Sequence, residues 1–289
     1  MLDFIPVVSV NGRIDSSLVA HDRGLSYGDG LFETLIMQNS VLPFIDIHLS
    51  RLNEGVARLQ IDFDQKTLSQ YISHLLVVGK ERGVEEAVLK IVVTRGVAGR
   101  GYQPSITVPA TIILGLYPIP LIPESFYSQG VNVFVCDYRL PKNKKLAGIK
   151  HLNKLDYVLA SLEWRDQDFQ EGLLFDSDNN LVEANSRNVF LLSGGKLFTP
   201  SLESSGVAGT LRRMVIEKYA NFLNIEVIEK QLSLESLLTA DEVFLCNSVT
   251  GFWPVKAIMG SEIQQTGMAA QLQQLFQDDI HARVGANVA

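Results

Sequence analysis

The sequence predicts an α+β protein built as two sheet-and-helix domains, and three observations carry that prediction. Its 289 residues exceed the commonest size of one domain and suit two. Short β-rich apolar runs mix with helical periodicities without a steady βαβ repeat, which argues against a doubly wound parallel sheet. Between Tyr117 and Ser125 the run PIPLIPE places three prolines in a row of extended residues, the composition of a connector. The expected division is therefore residues 1–117 as a smaller N-terminal domain, 118–126 as the connector and 127–289 as a larger C-terminal domain.

The elements follow in order. FIPVVSV reads as a strand turning at Asn11-Gly12, and FETLIMQNSVLPF as a hairpin turning at Asn39-Ser40, because Asn and Gly tolerate the left-handed backbone that tight hairpins need. Leu49, Leu52, Val56 and Leu59 recur at helical spacing, with Asp46 expected to cap the first turn. A second helix is expected over 67–82, then AVLKIVVTRG and ATIILGLYP as buried strands. The second part reads as strands in VNVFVCDYRL, EGLLFDS, NVFLLS, IEVIEKQL and EVFLCNS, with helices over 153–166 and 211–223.

Composition limits the function classes. Hydrophobic residues make up 46% of the chain and charged residues 20%, enough apolar material for a buried core. A formal net charge of -7 argues against general nucleic-acid affinity, which rests on clustered Lys and Arg. No stretch reaches transmembrane length, and MLDFIPVVSV lacks the basic start and apolar run of a secretory leader, so the expected address is the cytoplasm. Cys136 and Cys246 each sit in an apolar strand-like run and are expected as buried reduced thiols. Neither belongs to a metal-ligand spacing, and no metal site is expected.

Several groups could carry chemistry. Lys150 follows an apolar Leu-Ala-Gly-Ile and precedes an amphipathic pattern; desolvation there would lower its pKa and favour the nucleophilic amine. Most lysines beside a helix simply extend to water, so its company decides. Arg51 offers a planar guanidinium suited to phosphate or to a surface ion pair. In SSGVAGTLRR, Gly206, Gly209 and Thr210 precede a helical pattern, which suits a phosphate cup or a glycine turn about equally. Glu183 lies in a strand-like run, facing a buried partner or water. Asn247 and Ser248 end a buried run and could supply donors.

These residues lie in segments that resemble one family: HDRGLSYGDGLFET (21–34), HLSRL (48–52), GIKHLN (148–153), EANSRNVF (183–190), GVAGTLRR (206–213) and DEVFLCNSVTGFWPV (241–255). In that order they resemble the fold type IV, class IV aminotransferase-like, pyridoxal-phosphate enzymes. The resemblance implies the two-domain architecture of the D-amino-acid aminotransferases, with pyridoxal 5'-phosphate in the interdomain cleft. It implies Lys150 as the Schiff-base lysine and acid/base, Arg51 on the cofactor phosphate and Glu183 on the pyridine nitrogen. Gly209, Thr210 and Leu211 would add donors to the phosphate, with Asn247 and Ser248 nearby. A homodimer is expected on the same ground. His21, Asp22 and Arg23 are given a structural place before the YGDG turn.

Within the family, VVTRGVAGRGYQP (92–104) and LAGIKHLNKL (146–155) resemble the 4-amino-4-deoxychorismate lyases. Phe32, Arg100 and Tyr102 are the expected substrate contacts; the lone alternative for Tyr102 is packing beneath its loop. Arg139, Lys142, Lys144 and Lys145 could attract a dicarboxylate or form a solvated basic loop. Two features depart from the lyase pattern: Glu33, which resembles the aminotransferases, and Asn185-Ser186-Arg187, where small residues are usual. A D-amino-acid or branched-chain aminotransferase is the alternative activity. A protein that binds the cofactor without catalysis is the alternative of another class.

Overall fold

The computed structural model describes residues 4–97, 101–104, 108–165 and 168–288. Backbone packing divides the chain into two compact units: Met1–Pro120 with Ile149–Asn153 and Ile280–Ala289, and Leu121–Gly148 with Lys154–Asp279. The chain first changes unit inside the proline run. It then returns to unit 1 for the five residues around Lys150, whereas the sequence reading put them in the C-terminal part. Long-range pairing with a strand edge, described below, is the reason.

Unit 1 comprises β1 (Val7–Val10), β2 (Arg13–Ile14), α1 (Arg23–Tyr27), β3 (Gly30–Met37), α2 (Ile45–Leu59), α3 (Gln65–Glu81), β4 (Ala87–Thr94) and β5 (Thr111–Tyr117). Its five strands form an antiparallel sheet in the order β2-β1-β5-β4-β3. Both expected tight turns have left-handed residues, with φ of 49° and 76° at Asn11 and Gly12 and of 49° and 60° at Asn39 and Ser40. Leu31, Leu35, Met37, Leu89, Ile91 and Val93 alternate onto one buried face. Leu52 and Val56 of α2, with Leu68, Ile72 and Leu75 of α3, are buried beside them. A Cβ at Gly55 would stand 2.8 Å from Leu31, so glycine there lets α2 lie close on β3. Asp46 does not cap α2. Phe44 holds the cap position without a side-chain bond, and Asp46 accepts from Arg283 at 3.1 Å. The cap the sequence reading overlooked is Asp64, which receives the Lys66 and Thr67 amides of α3.

Unit 2 comprises α4 (Ser125–Ser128), β6 (Val131–Leu140), α5 (Leu155–Ser161), β7 (Glu171–Asp176), β8 (Leu181–Ala184), β9 (Asn188–Ser193), β10 (Lys196–Pro200), α6 (Thr210–Met214), a π-helical turn (Val215–Tyr219), α7 (Ala220–Phe222), β11 (Val227–Lys230), α8 (Leu234–Leu238), β12 (Glu242–Asn247), β13 (Gly251–Ile258), β14 (Ser261–Glu262) and the first part of α9 (Met268–Val288), through Asp279; the rest of that helix belongs to unit 1. Its sheet runs β11-β10-β9-β12-β13-β6-β7-β8, with β14 on β13. Only residues 185–187 join β8, at one end of that order, to β9 near the other, so the sheet must curl back on itself. The curl encloses Val133, Leu173, Val189, Val243, Leu245, Trp253 and Val255. Glu242, fully buried, anchors α9 by accepting from the Met268 and Ala269 amides at 3.0 and 2.9 Å. The helix expected over 153–166 is shorter, and the one expected over 211–223 contains the π turn. Among the described residues no helix is long and apolar enough to cross a membrane.

Candidate functional site

In unit 1 the sheet ends at β3, whose outer edge would otherwise leave backbone groups unpaired. Residues 150–152 cover it: the Phe32 amide donates to the Lys150 carbonyl and the Leu152 amide to the Gly30 carbonyl, both at 2.9 Å. This pairing fixes Lys150 beside β3. Its Nζ stands 4.2 Å from the centroid of the Phe32 ring, close enough for the cation to meet the ring's negative face. Lys90 approaches the same ring at 5.8 Å.

Behind Phe32 lies an ion cluster that the sequence reading missed. Glu33 points to the buried face, 1% exposed, and receives Arg51 through Nε at 2.8 Å and Nη2 at 2.5 Å. His48 Nδ1 adds a bond of 2.6 Å. A carboxylate only accepts, so Nδ1 carries the hydrogen. Burial alone would raise the Glu33 pKa; the Arg51 charge and the bonds from His48 and Arg51 overcome it and hold the carboxyl at about 2. Burial pushes His48 down, against the Glu33 bond, and the nearby charges of Arg51 and Lys150 add to that fall. A legible signal existed. Glu33 alternates with Leu31 and Leu35 on an inward face, and His48 and Arg51 are three apart on one helix.

Unit 2 holds the other groups. Glu183, 4% exposed on β8, accepts from the Tyr157 hydroxyl at 2.5 Å, from Asn188 Nδ2 at 3.2 Å and from the Val207 amide at 3.1 Å. Neither Tyr157 nor Asn188 was singled out from the sequence. Tyr157 is pushed upward by burial, then by the Glu183 charge and bond, so it stays a phenol and a donor. Lys154 stands 4.0 Å from the centre of the Tyr157 ring. Asn188 also donates to the Val207 carbonyl at 2.9 Å, and a Cβ at Gly209 would meet its Oδ1 at 1.9 Å. Gly209 is thus the N-cap of α6, with Thr210 and Leu211 buried in its first turn. Asn188 faces Cys246 across the strands, next to Asn247. Asn247 Oδ1 gathers the Val249 and Thr250 amides at 3.1 and 2.9 Å, which shapes the turn holding Ser248.

The remaining expected contacts differ in outcome. Tyr102 is 88% exposed, its ring packed edge-on to Tyr27 at 5.7 Å. Arg100 lies outside the described residues. Asp22 caps α1 through the Gly24 amide, and Arg23 and Arg95 converge on Asp29 at 2.8 Å, which gives that segment its structural place. Of the basic run, Lys142 is paired with Asp176 and Asp178, and Arg139 with Asn179. Within unit 1 the structure brings together Lys150, Phe32, His48, Glu33 and Arg51; within unit 2, Glu183, Tyr157, Asn188 and the start of α6.

The profile of the Amino-transferase class IV family matches residues 30–258. An aminodeoxychorismate lyase of Vibrio harveyi is 33% identical, over 88% of this chain and 92% of its own. The crystal structure of 4-amino-4-deoxychorismate lyase from Pseudomonas aeruginosa is similar with a TM-score of 0.88 and 39% identity, covering 94% of this chain and 99% of that one. A branched-chain amino acid aminotransferase structure from Escherichia coli has a TM-score of 0.83 at 26% identity, covering 94% and 93%.

Proposed function

The chain belongs to the class IV amino-transferase family, and on that premise we propose that it is a pyridoxal-phosphate-dependent lyase converting 4-amino-4-deoxychorismate to 4-aminobenzoate and pyruvate, a step toward folate. The near full-length similarity to the lyase of P. aeruginosa, at 39% identity against 26% for the aminotransferase, carries the choice of reaction. GIKHLN around Lys150 and GRGY at 99–102 support it.

The donor set fits the cofactor. An amine fixed by backbone pairing, a guanidinium and a buried carboxylate oriented by a phenol, an amide and a backbone N–H are the groups a phosphorylated pyridine aldehyde requires. Lys150 would bind its aldehyde carbon, and the Arg51 guanidinium, which Glu33 holds through Nε and Nη2, would meet the phosphate. Glu183 would keep a proton on the ring nitrogen, with Tyr157 and Asn188 fixing its two oxygens. The backbone of Gly209, Thr210 and Leu211, with Asn247 and Ser248, would add donors to the phosphate. When bound, the cofactor supplies the covalent anchor for the substrate amine and the electron sink.

Lys150 would take the proton from the substrate ring carbon that bears the amine, as the enolpyruvyl oxygen leaves and the ring becomes aromatic. Its amine stands over the face of the half-buried Phe32 ring, near enough to the buried His48 for its charge to act on that imidazole. Phe32, Arg100 and Tyr102 are the proposed substrate contacts. A cytoplasmic homodimer completes the reading. Leu155, Val158, Leu159 and Leu162, all exposed at spacings of three and four, give α5 and its end an apolar stripe suited to a second copy.

Supplying chorismate, glutamine and an aminodeoxychorismate synthase, then measuring 4-aminobenzoate, tests the activity. Accumulation of 4-aminobenzoate is expected. No 4-aminobenzoate together with rapid half-transamination of D-alanine would assign the chain to the aminotransferases. A yellow pyridoxal-phosphate complex inert in both assays would make it a silent cofactor binder.

A further inference from the structure

Arg187 occupies the three-residue link, 185–187, between β8, which carries Glu183, and β9, which begins at Asn188. The residue is 5% exposed, with its guanidinium carbon 3.2 Å from the centre of the Trp253 ring. Nη2 donates to the Thr250 hydroxyl, Nη1 reaches the Gly251 carbonyl at 3.5 Å, and Nε stands 3.7 Å from Glu171, itself buried. Glu171 in turn receives the Ser186 amide at 3.2 Å. A buried ion pair adds little stability over apolar residues of the same size, so stability is a weak reason for a charge here.

The contacts form a closed circuit. Thr250, held by Arg187, donates to Asn247 Oδ1 at 3.0 Å, and Asn247 Nδ2 returns to the Ser186 carbonyl at 3.4 Å. The circuit ties the link that follows β8, the strand carrying Glu183, to the turn carrying Asn247 and Ser248. Those are the two places that, in the reading above, would meet the ring nitrogen and the phosphate of one rigid ligand.

We propose, resting on that pyridoxal-phosphate reading, that Arg187 is a positioning residue that fixes the Asn247–Thr250 turn relative to Glu183, so that the phosphate and ring nitrogen are gripped together. Its contribution should therefore depend on the ligand's phosphate. Pyridoxal, which has the ring and aldehyde without the phosphate, separates this from a purely structural role.

The experiment titrates pyridoxal phosphate and pyridoxal into the full-length apo-protein and into Arg187→Met, Arg187→Met/Glu171→Gln and Thr250→Val, and records the melting temperature of each. The double variant leaves no lone buried charge and guards against a simple folding failure. Expected is a loss of about tenfold in pyridoxal-phosphate affinity in the double variant, with pyridoxal within about twofold of the parent. Thr250→Val should shift the same ratio in the same direction. If the double variant keeps the parent's preference, or both ligands weaken equally, Arg187 serves only to neutralise Glu171 and the inference falls. A parent protein that takes up no pyridoxal phosphate removes the cofactor reading and the inference with it.

Discussion

Two buried glutamates, Glu33 in unit 1 and Glu183 in unit 2, sit on strands at 1% and 4% exposure and receive different kinds of donor. Glu33 is met by a guanidinium fork and an imidazole, so its charge is matched in place. Glu183 is oriented by a phenol, an amide and a backbone N–H, which fix its oxygens without bringing a charge of their own. On the proposed function, the difference separates a carboxylate that builds the fold from one that would act on a ligand. Removing the first should cost stability; removing the second should cost chemistry.

The largest effect is expected from Glu33→Gln, which leaves Arg51 buried beside a neutral amide and should lose about 3–5 kcal/mol in urea unfolding. Its pH signature has a definite sign. Folded-state pKa values of Glu33, about 2, and of His48 both lie below their unfolded values, so their stabilisation is complete above roughly pH 6.5 and drains as pH falls. In the variant the decline below about pH 4.5 should flatten. Glu183→Gln comes next: 4-aminobenzoate formation should drop about 10²–10³-fold, with a melting temperature near the parent's. A large fall in melting temperature with activity preserved would invert the comparison.

Tyr157→Phe removes the phenol donor on Glu183. It should cost about 1 kcal/mol, read as a roughly fivefold weaker grip on pyridoxal phosphate. Tyr102→Phe should be the smallest, within about 0.5 kcal/mol in stability, because the ring is 88% exposed. A KM for the aminodeoxychorismate substrate raised tenfold in that variant would make the hydroxyl a substrate ligand.

The sequence exposed much of this arrangement because its strongest signals are local. Asn11-Gly12 and Asn39-Ser40 specify their turns by backbone chemistry alone, and the periodicity of Leu52 and Val56 specifies α2. Lys150, Arg51 and Glu183 were visible because they sit in segments resembling one family. Partners distant along the chain were harder. Tyr157 reaches Glu183 across 26 residues, and no spacing rule joins them. The unit to which Lys150 belongs depends on pairing with β3 more than 100 residues earlier, which local propensity does not encode. Asp46 looked like a cap because an acidic residue near a helix start is a common cap, but the helix begins one residue before it. Arg187 stood out as a departure, and only the fold shows it buried against Trp253.

The central claim is that Lys150 forms the covalent link to pyridoxal phosphate. Mixing the protein with pyridoxal phosphate, reducing with borohydride and mapping the peptides by mass spectrometry measures it directly. The account predicts a stable phosphopyridoxyl group on the peptide of Lys150, absent from Lys150→Ala. Labelling of Lys90, Lys154 or a surface lysine instead, with Lys150 unmodified, would contradict it.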